Sequence, residues 1–251
     1  HYTCNPIPLL LKIFLSGFSI NYYQKNYTDS KKKAKEAFNK ICFKKRLLLT
    51  EEQTNAVNEI KTRNKGFNVV LLDGVTSSGK TRVYMHAIME TLKRGFQCII
   101  LVPEKILTKQ WIEEISNDFG LLPEIYHSSI PQKKRNEIWL GVLKQKISLV
   151  IGTRSALFLP FKKIGLIVID EEHDSSFKQE EGIIINVRDM GVVRAKNSNC
   201  QIILSSATPS IETVHNCVKN KYFRVSLKNR VKGSLLPNIK VVDLKSQKKK
   251  K

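Results

Sequence analysis

The chain has 251 residues, of which 41% are hydrophobic, and this is enough to form a folded core and argues against a disordered protein. Its 43 basic residues outnumber the 22 acidic ones, so the formal net charge is +21, as is typical of proteins that bind polyanions. The most apolar N-terminal stretch, residues 7–20, contains Lys12 and follows no basic residue. We therefore expect neither a membrane span nor a signal peptide there.

The charge surplus lies in two flanks. Residues 25–46 carry nine basic and two acidic side chains and residues 216–251 carry twelve and one, whereas residues 47–215 carry 21 and 19. We expect a basic N-terminal segment (1–46), a central domain (47–227) and a lysine-rich C-terminal extension (228–251). The flanks either contact nucleic acid or are solvated low-complexity tails. The five cysteines lack the close spacing of a zinc site, which predicts reduced thiols, a cytoplasmic protein and no zinc site.

The first predicted strand, residues 67–72, leads into a phosphate-binding pattern: glycine, four residues of any type, glycine, lysine, then serine or threonine. Apolar residues then recur at helical spacing up to Gly95, so strand, loop and helix follow in the required order. Lys80 is predicted to reach the β- and γ-phosphates of a nucleoside triphosphate, and Thr81 to ligate Mg²⁺. The alternative is a glycine and serine turn beside a surface lysine. The eight residues of this phosphate loop are Gly74, Val75, Thr76, Ser77, Ser78, Gly79, Lys80 and Thr81.

Helical and strand patterns alternate from residue 47 onward, which predicts an α/β fold with a mostly parallel sheet and helices on both faces. In such open sheets, ligands bind beyond the C-terminal ends of the strands. The clearest helix is expected at residues 107–119. Further strands are expected at residues 98–102, 148–151, 166–169 and 201–204.

An acidic box, Asp170-Glu171-Glu172-His173, follows the apolar strand 166–169. An aspartate at the tip of a buried strand suits Mg²⁺, held directly or through water, so Asp170 is a candidate metal ligand. Glu171 points elsewhere and is predicted to orient or deprotonate an attacking water. Lys80, Asp170 and Glu171 are thus the candidate catalytic residues. The alternative is a solvated acidic turn.

Small hydroxyl residues follow the strand 201–204. Ser206 and Thr208 are predicted to couple the nucleotide site to a moving element through hydrogen bonds. Alternatively, Ser206-Ala207-Thr208 caps a helix that begins near Pro209, and both roles are compatible.

In this order, the phosphate loop, the acidic box and Ser206-Ala207-Thr208 resemble the first motor lobe of superfamily 2 helicases. The intervening sequence resembles the PriA family of replication-restart helicases. This similarity covers about residues 47–247, and residues 2–15 more weakly resemble the end of the DNA-binding region of that family. The segments that carry it are Leu101-Val102-Pro103-Glu104, His127-Ser128, residues 152–158, residues 170–179 and Arg188-Asp189.

The resemblance implies a RecA-like P-loop NTPase lobe that uses ATP and Mg²⁺ in 3′-to-5′ unwinding of DNA, on a single strand or fork. It also implies primosome and single-strand-binding proteins as partners, and no membrane. Gln53 matches a glutamine that contacts adenine in related helicases. Arg154 and Ser155 match a motif that holds single-stranded DNA by its backbone, although a surface ion pair is the alternative for Arg154.

The sequence also departs from the family. Ser77 stands where glycine is usual and fits only with a negative φ or with mild strain. Isoleucines at 183–185 replace proline, arginine and tyrosine, which predicts weaker DNA engagement. With no counterpart of a second lobe after residue 247, we expect weak nucleotide binding and slow hydrolysis. The other hypotheses are a remnant that binds nucleotide and DNA without helicase activity, and a different phosphate-loop enzyme such as a kinase, in which residues 152–158 would have no role.

Overall fold

The computed structural model describes residues 48–120, 122–179 and 184–231 of the chain. The expected N-terminal segment (1–46) lies outside these ranges, and so does the C-terminal extension beyond residue 231. The strands are β1 (Asn68–Gly74), β2 (Gln97–Leu101), β3 (Glu124–Tyr126), β4 (Leu149–Gly152), β5 (Ile164–Asp170), β6 (Lys178–Gln179), β7 (Ile185–Asn186), β8 (Gln201–Ser206) and β9 (Phe223–Leu227). The helices are α1 (Glu51–Thr62), α2 (Lys80–Lys93), α3 (Lys109–Phe119), α4 (Gln132–Leu143), α5 (Val187–Asn197) and α6 (Ile211–Val218).

Seven strands form one parallel sheet in the order β3-β4-β2-β5-β8-β1-β9, and β6 and β7 form a separate antiparallel pair. All five strands expected from the sequence are confirmed, with bounds that agree within two residues. The two edge strands of the sheet, β3 and β9, were not predicted. β3 is only three residues long, and β9 is exposed at three of its five positions, so neither has the continuous apolar run of a central strand.

Helices cover both faces of the sheet, as predicted. Alternate residues of each strand point to opposite faces. Val70 and Leu72 of β1 thus belong to the apolar cluster that α1, α2 and α3 cover, whereas Val69 and Leu71 belong to the cluster that α4 and α5 cover. Each face thus has its own buried apolar cluster, and the central strands are buried on both sides.

The helix ends follow capping rules. α3 begins two residues later than expected because Thr108 is its N-cap, with a hydroxyl that accepts from the amide of Trp111 at 3.2 Å. It ends at Gly120, whose φ of 63° is left-handed. Gly95, with φ of 78°, follows the end of α2 where the sequence placed it.

The sheet order brings three loops together. β8 lies between β1 and β5, with Leu72 and Asp170 both level with Ser205. Because neighbouring strands lie about 4.8 Å apart, the ends of β1 and β5 are separated by only about 10 Å. The phosphate loop, the acidic box and the residues that follow β8 therefore share one edge.

Candidate functional site

The phosphate loop is too tightly packed for side chains at its glycines. A Cβ on Gly74 would lie 2.6 Å from the Ser78 hydroxyl oxygen, and a Cβ on Gly79 would clash with the Gln53 amide. Gly79 has a left-handed φ of 83° and precedes α2, whose first turn has no side-chain cap. The amides at this helix end are therefore available to an anion, as the phosphate-loop prediction requires. Lys80 projects back over the loop, where its Nζ donates to the Gly74 carbonyl at 2.8 Å.

Ser77 adopts the strained alternative that the sequence left open. Its φ is 63°, in the left-handed region, which costs a non-glycine residue about 1–2 kcal/mol. The Ser77 carbonyl accepts from the amide of Val231 at 2.9 Å, and the amide of Val75 donates to the Leu227 carbonyl at 3.2 Å. Hydrogen bonds to the end of β9 and to the segment after it thus fix the backbone of the phosphate loop.

Gln53 lies against the phosphate loop. Its side chain is buried, its Nε2 donates to the Ser78 carbonyl at 2.8 Å, and its Oε1 accepts from the Thr50 amide at 3.1 Å. Gln53 therefore ties the start of α1 to the loop. Its contact with adenine stays a prediction.

The Asp170 carboxylate is held from both sides. Oδ1 accepts from the Ser205 hydroxyl at 2.7 Å and from the Glu171 amide at 3.1 Å, and Oδ2 accepts from the Tyr84 hydroxyl at 2.9 Å. Burial and then the charge of Asp170 raise the pKa of Tyr84 well above its ordinary value, so Tyr84 is a protonated donor. Tyr84 and Ser205 were not predicted as site residues. Their only signal was position: Tyr84 lies one helical turn after Thr81, and Ser205 ends a strand.

Glu171 differs from Asp170 in its surroundings. Its φ of 49° turns the chain sharply, and its carboxyl group is partly buried. Burial and the neighbouring Asp170 raise its pKa, while Lys80 opposes the shift. A carboxyl group with a raised pKa accepts a proton more readily at neutral pH, which is the property that a general base needs.

Glu172 points into the protein and joins α5 to α6. Its carboxylate accepts from the amide of Ser210 at 2.7 Å and from the Thr213 hydroxyl at 3.1 Å, and it lies 3.5 Å from Arg188. Ser210 is the N-cap of α6. The expectation that the Ser206-Ala207-Thr208 turn caps this helix is therefore wrong, because the helix begins two residues after Pro209.

Ser206 instead contacts the acidic box. Its hydroxyl lies 2.8 Å from Nδ1 of His173 and accepts from the backbone amide of Thr208 at 3.0 Å. The same His173 nitrogen is 3.6 Å from a Glu171 carboxylate oxygen. Ser206, His173 and Glu171 thus form a continuous polar path, whereas the Thr208 side chain is exposed. A coupling role for Ser206 and Thr208 remains a prediction.

Arg154 and Ser155 begin a short 3₁₀ helix after β4, which ends at the same edge of the sheet as β1 and β5. Arg154 is half-buried and forms no ion pair with any described residue, so its predicted alternative, a surface ion pair, has no support within them. The Ser155 hydroxyl is buried and has no hydrogen-bond partner among the described residues. A DNA phosphate could reach this hydroxyl only after its side chain rotates.

The residues present fit a magnesium nucleotide. Asp170 and Thr81 supply hard oxygen donors, and the buried Ser78 hydroxyl of the loop has no partner within the described part of the chain. No group of three or more histidine, cysteine, aspartate or glutamate side chains in residues 48–120, 122–179 and 184–231 could hold a metal ion. A metal here would thus share its coordination with the phosphates, as Mg²⁺ commonly does. The helices in the same ranges are also too short or too polar to span a bilayer.

The chain is similar in sequence to known proteins of one family. Residues 50–217 match the family described as DEAD/DEAH box helicase. The chain is 47% identical over 200 residues to the replication restart protein PriA of Rickettsia conorii, a match that covers 80% of this chain and 30% of that protein. It is 37% identical over 203 residues to PriA of Bacillus subtilis, covering 80% of this chain and 25% of that protein. The chain thus spans less than a third of the length of these relatives.

Solved structures support the fold. RecG bound to a three-way DNA junction superposes with a TM-score of 0.55 at 22% identity, over 89% of this chain and 30% of that one. The Hef helicase domain from Pyrococcus furiosus superposes with a TM-score of 0.50 at 17% identity, over 69% of this chain and 37% of that one. The predicted RecA-like α/β lobe is confirmed.

Proposed function

This chain belongs to the DEAD/DEAH box helicase family. We propose that it forms the ATP-binding first lobe of a PriA-like 3′-to-5′ DNA helicase that acts in replication restart. The replication restart relatives support this proposal, with identities up to 47% over 80% of the chain. We also propose ATP and Mg²⁺ as cofactors, a cytoplasmic location, and single-stranded or forked DNA, primosome proteins and single-strand-binding proteins as partners.

One observation carries the proposal: a hydrogen bond joins the helix that follows the phosphate loop to the acidic box, which lies about ninety residues further along the sequence. Tyr84, in the helix that follows the loop, donates to Asp170, at the tip of β5, at 2.9 Å. This contact sets the predicted phosphate-binding and metal-binding groups side by side at the end of the sheet where such folds bind ligands.

The chemistry assigned to each residue follows from its surroundings. The phosphate-loop amides and the α2 N-terminus bind the phosphates, and Lys80 exchanges its bond to the Gly74 carbonyl for one to a phosphate oxygen. Thr81 and Asp170 would hold Mg²⁺, which neutralises charge on the phosphate oxygens. Glu171, with its raised pKa, takes a proton from the attacking water. Gln53 fixes the loop and is proposed to contact adenine.

The proposed DNA contacts lie at the same edge of the sheet. Arg154 is free of ion pairs with described residues and can hold a phosphate, and Ser155 can assist once its hydroxyl rotates outward. The path from Ser206 through His173 to Glu171 is proposed to couple the hydrolysis site to the residues that follow β8. The net charge of +21 predicts that binding weakens as salt increases.

A second candidate is a module that binds nucleotide and DNA without helicase activity. The observation that favours it is Ile184, which is 68% exposed in the position where the resemblance implies an arginine. Ile185 is buried in β7, and Ile183 lies outside the described residues. An exposed isoleucine cannot form a charged contact with a phosphate.

ATP binding and turnover by the full chain test both candidates. We expect a fluorescent ATP analogue to bind in the presence of Mg²⁺. Lys80→Ala should weaken that binding by about tenfold or more, because a hydrogen bond to a charged group contributes about 1.5–3 kcal/mol. The control is Lys65→Ala, which removes an exposed lysine outside the loop and should change nothing. Equal binding by both variants would refute the nucleotide site. ATP turnover that single-stranded DNA stimulates, even at the slow rate expected of a lone first lobe, would favour the helicase. Salt-sensitive DNA binding with no detectable turnover would favour the binding module.

A further inference from the structure

Tyr84 lies between the two residues that are proposed to hold magnesium. It is completely buried, and its hydroxyl donates to Oδ2 of Asp170 at 2.9 Å. The Thr81 side chain lies near enough to lower the pKa of this hydroxyl, against the larger upward effects of burial and of Asp170. Tyr84 follows Thr81 by three residues in α2, so the two side chains share one face of the helix.

We propose that Tyr84 is a positioning residue that fixes the Asp170 carboxylate in the orientation that receives magnesium before the nucleotide arrives. This inference rests on the proposed function, since it concerns the same metal. It adds a residue outside the phosphate loop and the acidic box, and it assigns the metal to a particular carboxylate oxygen.

The hydrogen bonds identify that oxygen. A carboxylate oxygen has two acceptor positions. Both positions on Oδ1 of Asp170 are used, by the Ser205 hydroxyl and the Glu171 amide, whereas Oδ2 has only the Tyr84 hydroxyl. Oδ2 therefore keeps one position for Mg²⁺ or for a water bound to it.

Packing alone does not explain a tyrosine at this position. A phenylalanine would fill the same buried space, and a buried hydroxyl costs free energy unless it is hydrogen-bonded. Tyr84 has a single proton to donate, and that proton goes to Oδ2 of Asp170. The hydroxyl therefore holds the carboxylate in one orientation, which a phenylalanine could not do.

The test is the Mg²⁺ dependence of nucleotide binding by the full chain with Tyr84→Phe. Binding of a fluorescent ATP analogue is measured in EDTA and at increasing Mg²⁺, and direct binding of Mn²⁺ in the presence of nucleotide is measured by electron paramagnetic resonance. Loss of a residue that orients metal ligands typically lowers metal affinity by about 10–100-fold. We expect the half-saturating Mg²⁺ concentration to rise by at least about tenfold, while binding in EDTA stays within about twofold of wild type.

Tyr126→Phe is the matched control, because it removes one hydroxyl from another buried tyrosine, in β3. If Tyr84→Phe is unstable by circular dichroism, Ser205→Ala removes the other side-chain donor to Asp170 and should shift the Mg²⁺ response in the same direction. If Tyr84→Phe leaves the Mg²⁺ dependence of nucleotide binding unchanged, or weakens nucleotide binding equally in EDTA and in Mg²⁺, the inference is overturned and the proposed function stays intact. A wild-type chain that binds no nucleotide under either condition overturns both.

Discussion

Glu172, the third residue of the acidic box, is predicted to hold the lobe together rather than to act in hydrolysis. Its side chain has 0% exposure and faces Arg188, whose side chain is 8% exposed, at 3.5 Å. Arg188 also donates to the Ser210 hydroxyl at 2.6 Å and to Asp189 at 2.9 Å. These bonds join the end of β5 to α5 and α6, so a substitution of Arg188 disturbs three elements at once.

The size of the effect follows from this burial. Arg188→Met leaves the Glu172 carboxylate buried without its cation, and breaking a buried pair in this way costs about 3–5 kcal/mol. Since small domains are stable by about 5–15 kcal/mol, this substitution alone removes much of the free energy of unfolding. Glu172→Gln keeps an acceptor for the Ser210 amide and should cost less, about 1–3 kcal/mol. In the double variant no charge of the pair remains unpaired, so its loss should be smaller than the sum of the two single losses.

Urea unfolding followed by circular dichroism measures these differences. The control is Arg224→Met, which breaks the pair between Arg224 and Asp73 at the edge of the sheet, where the arginine is 50% exposed. Exposed pairs contribute about 0–1 kcal/mol, so this variant should remain near wild type. The reasoning is refuted if Arg188→Met costs no more than the control, or if the double variant loses the full sum of the two single losses.

Two further predictions concern the loops of the site. Ser77→Gly should raise the free energy of unfolding by up to about 1 kcal/mol, because relief of the left-handed strain exceeds the added entropy of the unfolded chain. The control is Ser78→Gly, at a buried residue without a positive φ, which should lower the free energy of unfolding. Thermal melts that show the same change in stability for both variants would contradict the strain argument. Glu171→Gln tests the raised pKa of Glu171, because a raised pKa means that folding favours the protonated carboxyl group. The stabilising contribution of Glu171 is therefore present below its pKa in the unfolded chain. It is lost as pH rises through its pKa in the folded protein. The stability of wild type relative to Glu171→Gln should therefore fall over that range in urea titrations, and a difference that is constant with pH or rises with it would refute the assignment.

The sequence predicted the central part of the fold because the strands there are buried on both faces. β1, β5 and β8 each contain an unbroken run of three or four apolar residues, and each run is followed by a polar motif at the same edge of the sheet. Such runs are distinctive in sequence, since half-exposed strands alternate in polarity. β9, with its exposed Phe223, lacks this pattern and was missed for that reason.

The residues that orient the site could not be predicted in the same way. A motif identifies Asp170 by its position after a strand, but the donors to Asp170 come from α2 and β8, and only the order of strands in the sheet brings them together. Likewise Ser210 caps α6 and binds Glu172, a contact between residues 38 positions apart. Ser210 follows the same local capping preference that suggested Ser206 and Thr208, since its hydroxyl accepts from the Thr213 amide at 3.3 Å. The sequence prediction therefore placed the start of this helix too early.

The backbone at Glu171 explains how three consecutive carboxylates acquire three roles. In a continuing strand, Asp170 and Glu172 would point to the same face and Glu171 to the opposite one. The left-handed φ of 49° at Glu171 ends this alternation, and the amide of Glu172 then returns to the Ser205 carbonyl at 3.1 Å. Asp170 is thereby directed toward α2, Glu171 is left partly exposed, and Glu172 is buried beneath α6. A strained backbone at a functional site persists only when its surroundings hold it in place. Here the hydrogen bonds of Asp170 on one side and of Glu172 on the other supply that restraint. The buried pair of Glu172 with Arg188 therefore supports the geometry of the proposed hydrolysis site, although neither residue contacts the nucleotide in the proposed mechanism.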